Sequence, residues 1–250
     1  MTELELMVEE RAVRIPAGSV TLEGDLSLPD GAYAAVLFAH GSGSSRHSPR
    51  NRCVAHLLNE AKLATLLVDL MTYDEETIDR QMAHLRFDIS LLSERLIAVT
   101  DWLAQYKDTR GFPIGYFGAS TGAAAALVAS VKRPQCVGAI VSRGGRPDLA
   151  APALPFVQSP TLLIVGENDV YVVQLNQAAL SELRCEKRLV VVPGATHLFE
   201  ETGALDEVAR VACEWLERHL RPAVQVLGSA SDRRILRLAT AQELEKKARG

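Results

Sequence analysis

The 250-residue sequence predicts an α/β fold, a mostly parallel sheet of about eight strands with helices on both faces. Two observations carry this expectation. Short β-type runs recur at 11–15, 20–28, 33–39, 63–69, 112–117, 136–142, 160–165 and 187–192, and several of them, such as AAVLFA, LATLLVD and TLLIVG, are continuously apolar. Strands buried on both faces of a parallel sheet read this way, whereas half-exposed strands alternate. Between the runs lie stretches with apolar residues three and four apart. Helix therefore follows strand repeatedly, and right-handed crossovers are the simple connection.

Taken in order, the first two runs have no helix between them and predict an antiparallel pair at the sheet edge. Ser48-Pro49 reads as an N-cap with proline in the first helical position. It opens a helix with Val54, Leu57, Leu58 and Ala61 on one side. Ile89, Leu92, Leu96, Val99 and Leu103 mark a longer amphipathic helix, and Leu205, Val208, Ala212 and Trp215 mark another near the end. Residues 70–86 and 143–159 break the alternation and read as loops. Each follows a strand, which places both at the carboxyl ends of the strands, where open α/β sheets bind ligands. Neither is long enough for a large cap domain. The expected organisation is one domain over 1–221 and a tail over 222–250. In that tail Gly228-Ser229-Ala230-Ser231 is linker-like, and RILRLATAQELEKKARG is either a short amphipathic helix or a disordered basic segment.

Composition narrows the function classes. Hydrophobic residues at 48% and charged residues at 23% are the balance of a globular protein with a sizeable core. A net charge of −4 supplies no bulk attraction for nucleic acid. The opening MTELELMVEERAVRIP is acidic and lacks the apolar stretch of a secretory signal, and runs such as 33–39 are too short to cross a bilayer. Cys53, Cys136, Cys185 and Cys213 are scattered without a CxxC pair. They read as reduced core thiols of a cytoplasmic protein, not as disulfides or zinc ligands. No metal and no other cofactor is expected, and the expected partner is a small molecule, not a nucleic acid or a membrane.

The strongest chemical signal is Gly118-Ala119-Ser120-Thr121-Gly122, between the apolar FPIGYF and the Ala-rich AAAALVASV. This is the strand–turn–helix setting of a nucleophile elbow, in which glycines allow a tight turn and the serine is held exposed at its corner. GxSxG alone is weak, since a Gly-rich strand-to-helix turn has the same letters; later residues supply the context. A serine hydroxyl needs a base to take its proton. His197, in Pro193-Gly194-Ala195-Thr196-His197, follows the strand-like RLVVV and precedes the last helix, where it can reach Ser120 from a loop. His219 and His84 read as surface or packing residues. Asp169, in Gly166-Glu167-Asn168-Asp169-Val170, follows TLLIV and can accept a hydrogen bond from the imidazole. Glu167 on the same turn is the alternative acid, and Asp148 a more remote one. Developing oxyanion charge would fall on the backbone N–H of Thr121 and on that of Ser42, in the loop His40-Gly41-Ser42-Gly43-Ser44-Ser45.

These segments together, HGSGSS, GYFGAST, GENDV and GATHLFEE, resemble the dienelactone hydrolase family within the α/β-hydrolases. The likeness is greatest to a branch of hydrolase-like proteins sometimes fused to phosphoribosyltransferase domains, and it covers about residues 10–221. The resemblance implies an α/β-hydrolase fold without a large cap, no metal, carboxylic-ester or lactone substrates, and Ser120, Asp169 and His197 as nucleophile, acid and base. The founding dienelactone hydrolases carry a cysteine where this chain has Ser120. A thiolate and a serine alkoxide are generated differently, so small esters and lactones in general are expected, not dienelactone in particular. A fused phosphoribosyltransferase domain is not expected in a chain of this length, so none is used to infer a substrate.

Arg46, Arg50 and Arg52 follow the oxyanion loop, and Arg143 and Arg146 follow GAIVS. Arginine suits bidentate recognition of carboxylate or phosphate. Arg46 or Arg143 is the candidate for an anionic group of the substrate and His47 for a further contact, against the alternative of ordinary salt bridges. The expected activity is ester or lactone hydrolysis through an acyl-enzyme. The competing readings are an acyltransferase on the same triad, a binding module that has lost catalysis, and, last, a peptidase.

Overall fold

The edge hairpin forms as the sequence suggests. β1 (Val8–Ala17) and β2 (Val20–Pro29) pair antiparallel, from Val8 opposite Pro29 to Ala17 opposite Val20. The structure is a computed structural model that describes residues 8–221; the predicted tail over 222–250 lies outside the described residues. Beyond the hairpin come β3 (Ala34–Ala39), β4 (Leu63–Val68), β5 (Ile114–Ala119), β6 (Val137–Arg143), β7 (Thr161–Gly166) and β8 (Lys187–Val192). They join one eight-stranded sheet in the order β1-β2-β4-β3-β5-β6-β7-β8. Only the β1–β2 and β2–β4 pairings are antiparallel. All eight predicted runs are strands, with ends shifted by up to three residues.

The strand order positions the site. From β3 the chain passes through α1 (Pro49–Glu60) to β4 on one side, and then through α3 (Ile89–Gln105) to β5 on the other. The order therefore reverses between β3 and β5, and the loops leaving their carboxyl ends diverge to leave a crevice. Two apolar layers cover the sheet. On one face Leu92, Leu96, Val99 and Leu103 of α3 and the alanines of α4 (Thr121–Lys132) pack on Leu37, Leu66, Tyr116 and Ile140. On the other, Val54 and Leu58 of α1 and Val208, Ala212 and Leu216 of α6 (Ala204–Leu220) pack on Phe38, Phe117, Val141 and Ile164. Phe38 and Phe117 stack with ring centroids 4.8 Å apart. Helix α4 has small residues almost all round and no single apolar stripe, which suits an element buried between the sheet and its neighbours.

Both segments read as loops are ordered elements. Residues 70–86 contain α2 (Tyr73–Met82), followed by a 3₁₀ turn at Leu85–Phe87. The helix is polar and shows no apolar period, so its signal lay in its cap. The Thr72 hydroxyl accepts from the Glu75 N–H (3.2 Å), and the Glu75 carboxylate accepts from the Thr72 N–H (2.8 Å). Arg95 ties Glu75 to α3 (2.7 Å). Asp79 is buried and accepts from the N–H groups of Leu85 (2.7 Å) and Arg86 (3.3 Å) and from the Arg86 guanidinium. Residues 143–159 begin as the end of β6 and continue as a 3₁₀ run, Pro147–Phe156, that buries Ala150 and Leu154. Two internal prolines, Pro152 and Pro155, hide it from helical periodicity. Helix α5 (Val170–Glu182) was also not anticipated. The four cysteines are unpaired and half-buried, not core residues. Among the described residues no helix is long and apolar enough to cross a membrane.

Burial pushes the Asp79 carboxyl up, but Arg86 and the two N–H donors outweigh it and hold it below the usual carboxylate range. Asp79→Asn is expected to lower stability by about 2 kcal/mol in urea denaturation at pH 7. Because the folded-state value is the depressed one, the contribution is complete above the ordinary carboxylate pKa and disappears as pH falls through the folded value. The gap between wild type and variant should therefore close in acid.

Candidate active site

The crevice between β3 and β5 is set by how closely α4 lies on the sheet. A methyl group at Gly122 would overlap the carbonyl oxygens of Ala39 and His40, and one at Gly118 would come within 2.8 Å of the Ala123 nitrogen. The chain must therefore turn from β5 into α4 within one residue. That residue, Ser120, takes φ +51° and ψ −119°. A non-glycine residue held there stores strain of about 1–3 kcal/mol, and the surroundings clamp it. The Ser120 N–H donates to the Arg143 carbonyl (3.2 Å), and its own carbonyl accepts from the N–H groups of Ala123 (3.1 Å) and Arg146 (3.1 Å). Ser120 is half-exposed. Thr121 is the first residue of α4, so its N–H has no carbonyl within that helix, and the positive end of the helix lies at the turn.

The loop after β3 meets the elbow from the other side. A methyl group at Gly41 would stand 2.9 Å from the Ser120 Cβ, so backbone runs directly beside the serine. His40 orders this loop. Its Nε2 accepts from the Leu70 N–H (3.2 Å), which leaves the proton on Nδ1, donating to the Gly41 carbonyl (2.9 Å). The Gly41 carbonyl also accepts from the Ser44 N–H (3.2 Å), and Gly43 sits at φ +71°. Ser42 is exposed at the tip of this turn.

The turns after β7 and β8 are bound to each other. The Glu167 N–H donates to Val192 (3.0 Å) and the Asn168 N–H to Ala195 (2.9 Å). The Asn168 side-chain amide donates to the Gly194 carbonyl (2.8 Å), and the Gly194 N–H donates to the Glu167 carboxylate (2.8 Å). These links bring Asp169 and His197 together, with Nδ1–H of His197 donating to Asp169 Oδ2 at 2.6 Å. Glu167 thus serves the turn, and Asp148 pairs with Arg146 (2.7 Å), so neither alternative acid meets the imidazole. The histidine turn is fixed further by Glu201, which accepts from the Thr196 N–H (3.1 Å) and hydroxyl (2.6 Å), and by buried Phe199 at φ +56°. Gly144, at φ +52°, lies against the His197 ring, where a methyl group would stand 3.4 Å from Cε1 and Nδ1. The segment that clamps Ser120 through Arg143 and Arg146 is therefore the one that touches the imidazole.

The predicted binding residues divide. Arg46 pairs with Asp69 and with Glu23 (2.8 Å), and Asp25 lies 3.6 Å away. It is held by carboxylates of β2 and the β4 end, which is the salt-bridge alternative. His47 is exposed and stands 3.8 Å from Asp25. Both line a cavity of about 660 Å³ that includes none of Ser120, Asp169 and His197. Arg143, by contrast, is buried beside the elbow. The sequence reading missed His40, Gly144, Phe199 and Glu201 as supports; of these only the Gly144-Gly145 pair carried a signal, that of a tight turn after a strand. A smaller cavity of about 350 Å³ opens between Gly43, Ser44 and Ser45 of the β3 loop and Asp79, Arg80 and Arg86 of the α2 excursion. Among the described residues no group of three or more His, Cys, Asp or Glu side chains is arranged to hold a metal.

A strand–serine–helix elbow at the switch point of such a sheet, with acid and histidine turns on later strands, is the architecture of an α/β-hydrolase. The crystal structure of a dienelactone hydrolase from Anabaena variabilis superposes with a TM-score of 0.84 at 58% identity, over 86% of this chain and 99% of that one. The chain belongs to the dienelactone hydrolase-like family of α/β-hydrolases. Est1E from Butyrivibrio proteoclasticus shares the fold at 16% identity, with a TM-score of 0.72 over 84% of this chain and 99% of that one. A Mycobacterium tuberculosis protein provisionally named a phosphoribosyl transferase is 54% identical over 213 residues, 85% of this chain and 47% of its own length. The chain thus spans about half the length of that relative. No protein-family model matches the chain.

Gly122→Ala is expected to cost about 3 kcal/mol by forcing α4 off β3, read as a lowered melting temperature, whereas Gly43→Ala, which has open space around its Cβ, should cost about 1 kcal/mol from its positive φ alone.

Proposed function

We propose that the protein is a serine hydrolase that cleaves small carboxylic esters or lactones through an acyl-enzyme. One observation supports this most strongly: the segment that clamps Ser120 also packs on the imidazole that is paired with Asp169 at 2.6 Å. In this reading Ser120 Oγ attacks the ester carbonyl while His197, whose Nδ1–H is engaged by Asp169, takes the hydroxyl proton on Nε2. The Ser120–acyl bond forms, the carbonyl oxygen becomes an oxyanion, and the N–H groups of Thr121 and Ser42 receive it, helped by the α4 dipole. Collapse breaks the bond to the leaving alkoxide, which departs with the proton from His197. Water then repeats the sequence, giving its proton to His197, and the acid is released from Ser120. Asp169 stays ionised, holding the ring and offsetting the imidazolium charge.

The reading concerns the segment shared with the longer M. tuberculosis relative and assigns nothing to what that relative carries beyond it.

Ser120→Ala should lower kcat/KM for p-nitrophenyl acetate and butyrate by more than about a thousandfold and abolish labelling by a fluorophosphonate probe. Asp169→Asn should keep labelling measurable but slow turnover by about 10³–10⁴ through loss of the correct tautomer. Turnover that survives in Ser120→Ala would remove this residue from the mechanism, and a wild type that is neither labelled nor active would favour the binding-module reading.

A further inference from the structure

Of the arginines around the carboxyl ends of the strands, Arg46 is held by Asp69 and Glu23, Arg50 by Glu200 (3.0 Å), Arg52 by Asp25 (3.6 Å) and Arg146 by Asp148 (2.7 Å). Arg143 differs. Among the described residues it has no carboxylate partner, although it is only 8% exposed, and its Nη1 is fully buried without a hydrogen-bond partner. The charged group nearest in effect is another cation, Arg50, whose Nε is likewise buried and unpartnered. Burial, and secondarily the like charge of Arg50, pull the Arg143 pKa down to about 10, which still leaves it protonated at neutral pH.

Removing a cation from water without a counter-charge costs several kcal/mol, and an apolar side chain of similar volume would fill the same place without that cost. The location is also specific. Arg143 ends β6 opposite Ala119 in register, its carbonyl accepts the Ser120 N–H, and the next residue lies against His197. Strand alternation puts its side chain on the face of Ala139 and Val141, the face covered by α1 and α6, and α1 carries Arg50, whose charge acts on Arg143. A guanidinium held rigidly by burial presents a planar donor fork matched to a carboxylate or phosphate.

We propose that Arg143, with Arg50 beside it, forms an anion site in the wall of the Ser120–His197 centre that takes a carboxylate or phosphate group, either carried by the ester or free. The substrate-borne case rests on Ser120 being the nucleophile; the free-anion case does not. Where the anion is part of the substrate, the site selects charged over neutral esters.

The test compares wild type, Arg143→Met and Arg143→Lys in two arms. In the first, melting temperatures are measured in inorganic phosphate and in chloride at matched ionic strength. Phosphate should raise the wild-type value by several degrees above chloride, should fail to do so in Arg143→Met, and should act weakly in Arg143→Lys, which keeps the charge but loses the fork. In the second, kcat/KM is compared for p-nitrophenyl butyrate and the mono-p-nitrophenyl ester of succinate. A preference for the charged ester that falls about tenfold or more in Arg143→Met identifies a substrate-borne anion. A phosphate effect that depends on Arg143 with an unchanged ester ratio identifies a free one. Equal phosphate effects in wild type and Arg143→Met, or no phosphate effect together with an unchanged ratio, overturn the proposal. If Arg143→Met does not fold, Arg143→Lys and phosphate titration calorimetry on the wild type decide in the same way. Fluorophosphonate labelling of all three proteins separates the two readings: an Arg143-dependent phosphate effect in a protein that does not label leaves the anion site standing and removes the nucleophile.

Discussion

Close approach of α4 to β3 and β5 is the constraint from which the site follows. With no room for a Cβ at Gly118 or Gly122, the strand has a single residue in which to reverse into the helix, and Ser120 must adopt a positive φ that a serine avoids elsewhere. The strain is local, and the hydrogen bonds that hold it come from β6, the turn after it and the first turn of α4. The same geometry leaves the first N–H of α4 without an intrahelical partner and aims the helix dipole at the turn. The exposed serine, the free backbone donor and the favourable field are thus consequences of one packing contact.

The other turns are held less by packing than by mutual hydrogen bonds. Glu167, Asn168, Gly194 and Ala195 join the ends of β7 and β8 so that Asp169 and His197 meet. Their strands are neighbours in the sheet, so two short turns can be linked without any long loop having to find its place. His40 has the corresponding part on the other side, joining the β3 loop to the start of the α2 excursion through one ring nitrogen each. The excursion in turn is closed by buried Asp79 and capped by Thr72 and Glu75. Rigid strand ends therefore carry Ser120, Asp169 and His197, and polar side chains tie the loops together.

Charge is distributed unevenly around this frame. Four of the five arginines near the strand ends are met by carboxylates on neighbouring strands and loops, and such partly exposed ion pairs contribute little stability each. Arg143 is the one that burial isolates, and its backbone carbonyl accepts the Ser120 N–H. It ends a strand whose Val137, Ala139, Ile140 and Val141 are buried in the layers on the two faces of the sheet.

The sequence by itself determined the strands and the order along the chain of the candidate serine, acid and histidine. Continuous apolar runs separated by amphipathic stretches leave few alternatives to a mostly parallel sheet, and GASTG, GENDV and GATH each follow such a run, so their positions at strand ends were legible. The helices that show no apolar period were not. α2 is polar and depends on its capping box, α5 has a weak stripe, and the 3₁₀ run after β6 is interrupted by prolines. Only the tertiary structure decided which arginine lies buried without a counter-ion, because pairing depends on carboxylates distant in sequence: Asp69 lies 23 residues from Arg46, and Glu200 lies 150 from Arg50. It likewise decided between Asp169, Glu167 and Asp148 as the partner of His197. All three are acids in turns after strands, and only the cross-links between the β7 and β8 turns, which no local pattern encodes, bring one of them within 2.6 Å of the ring.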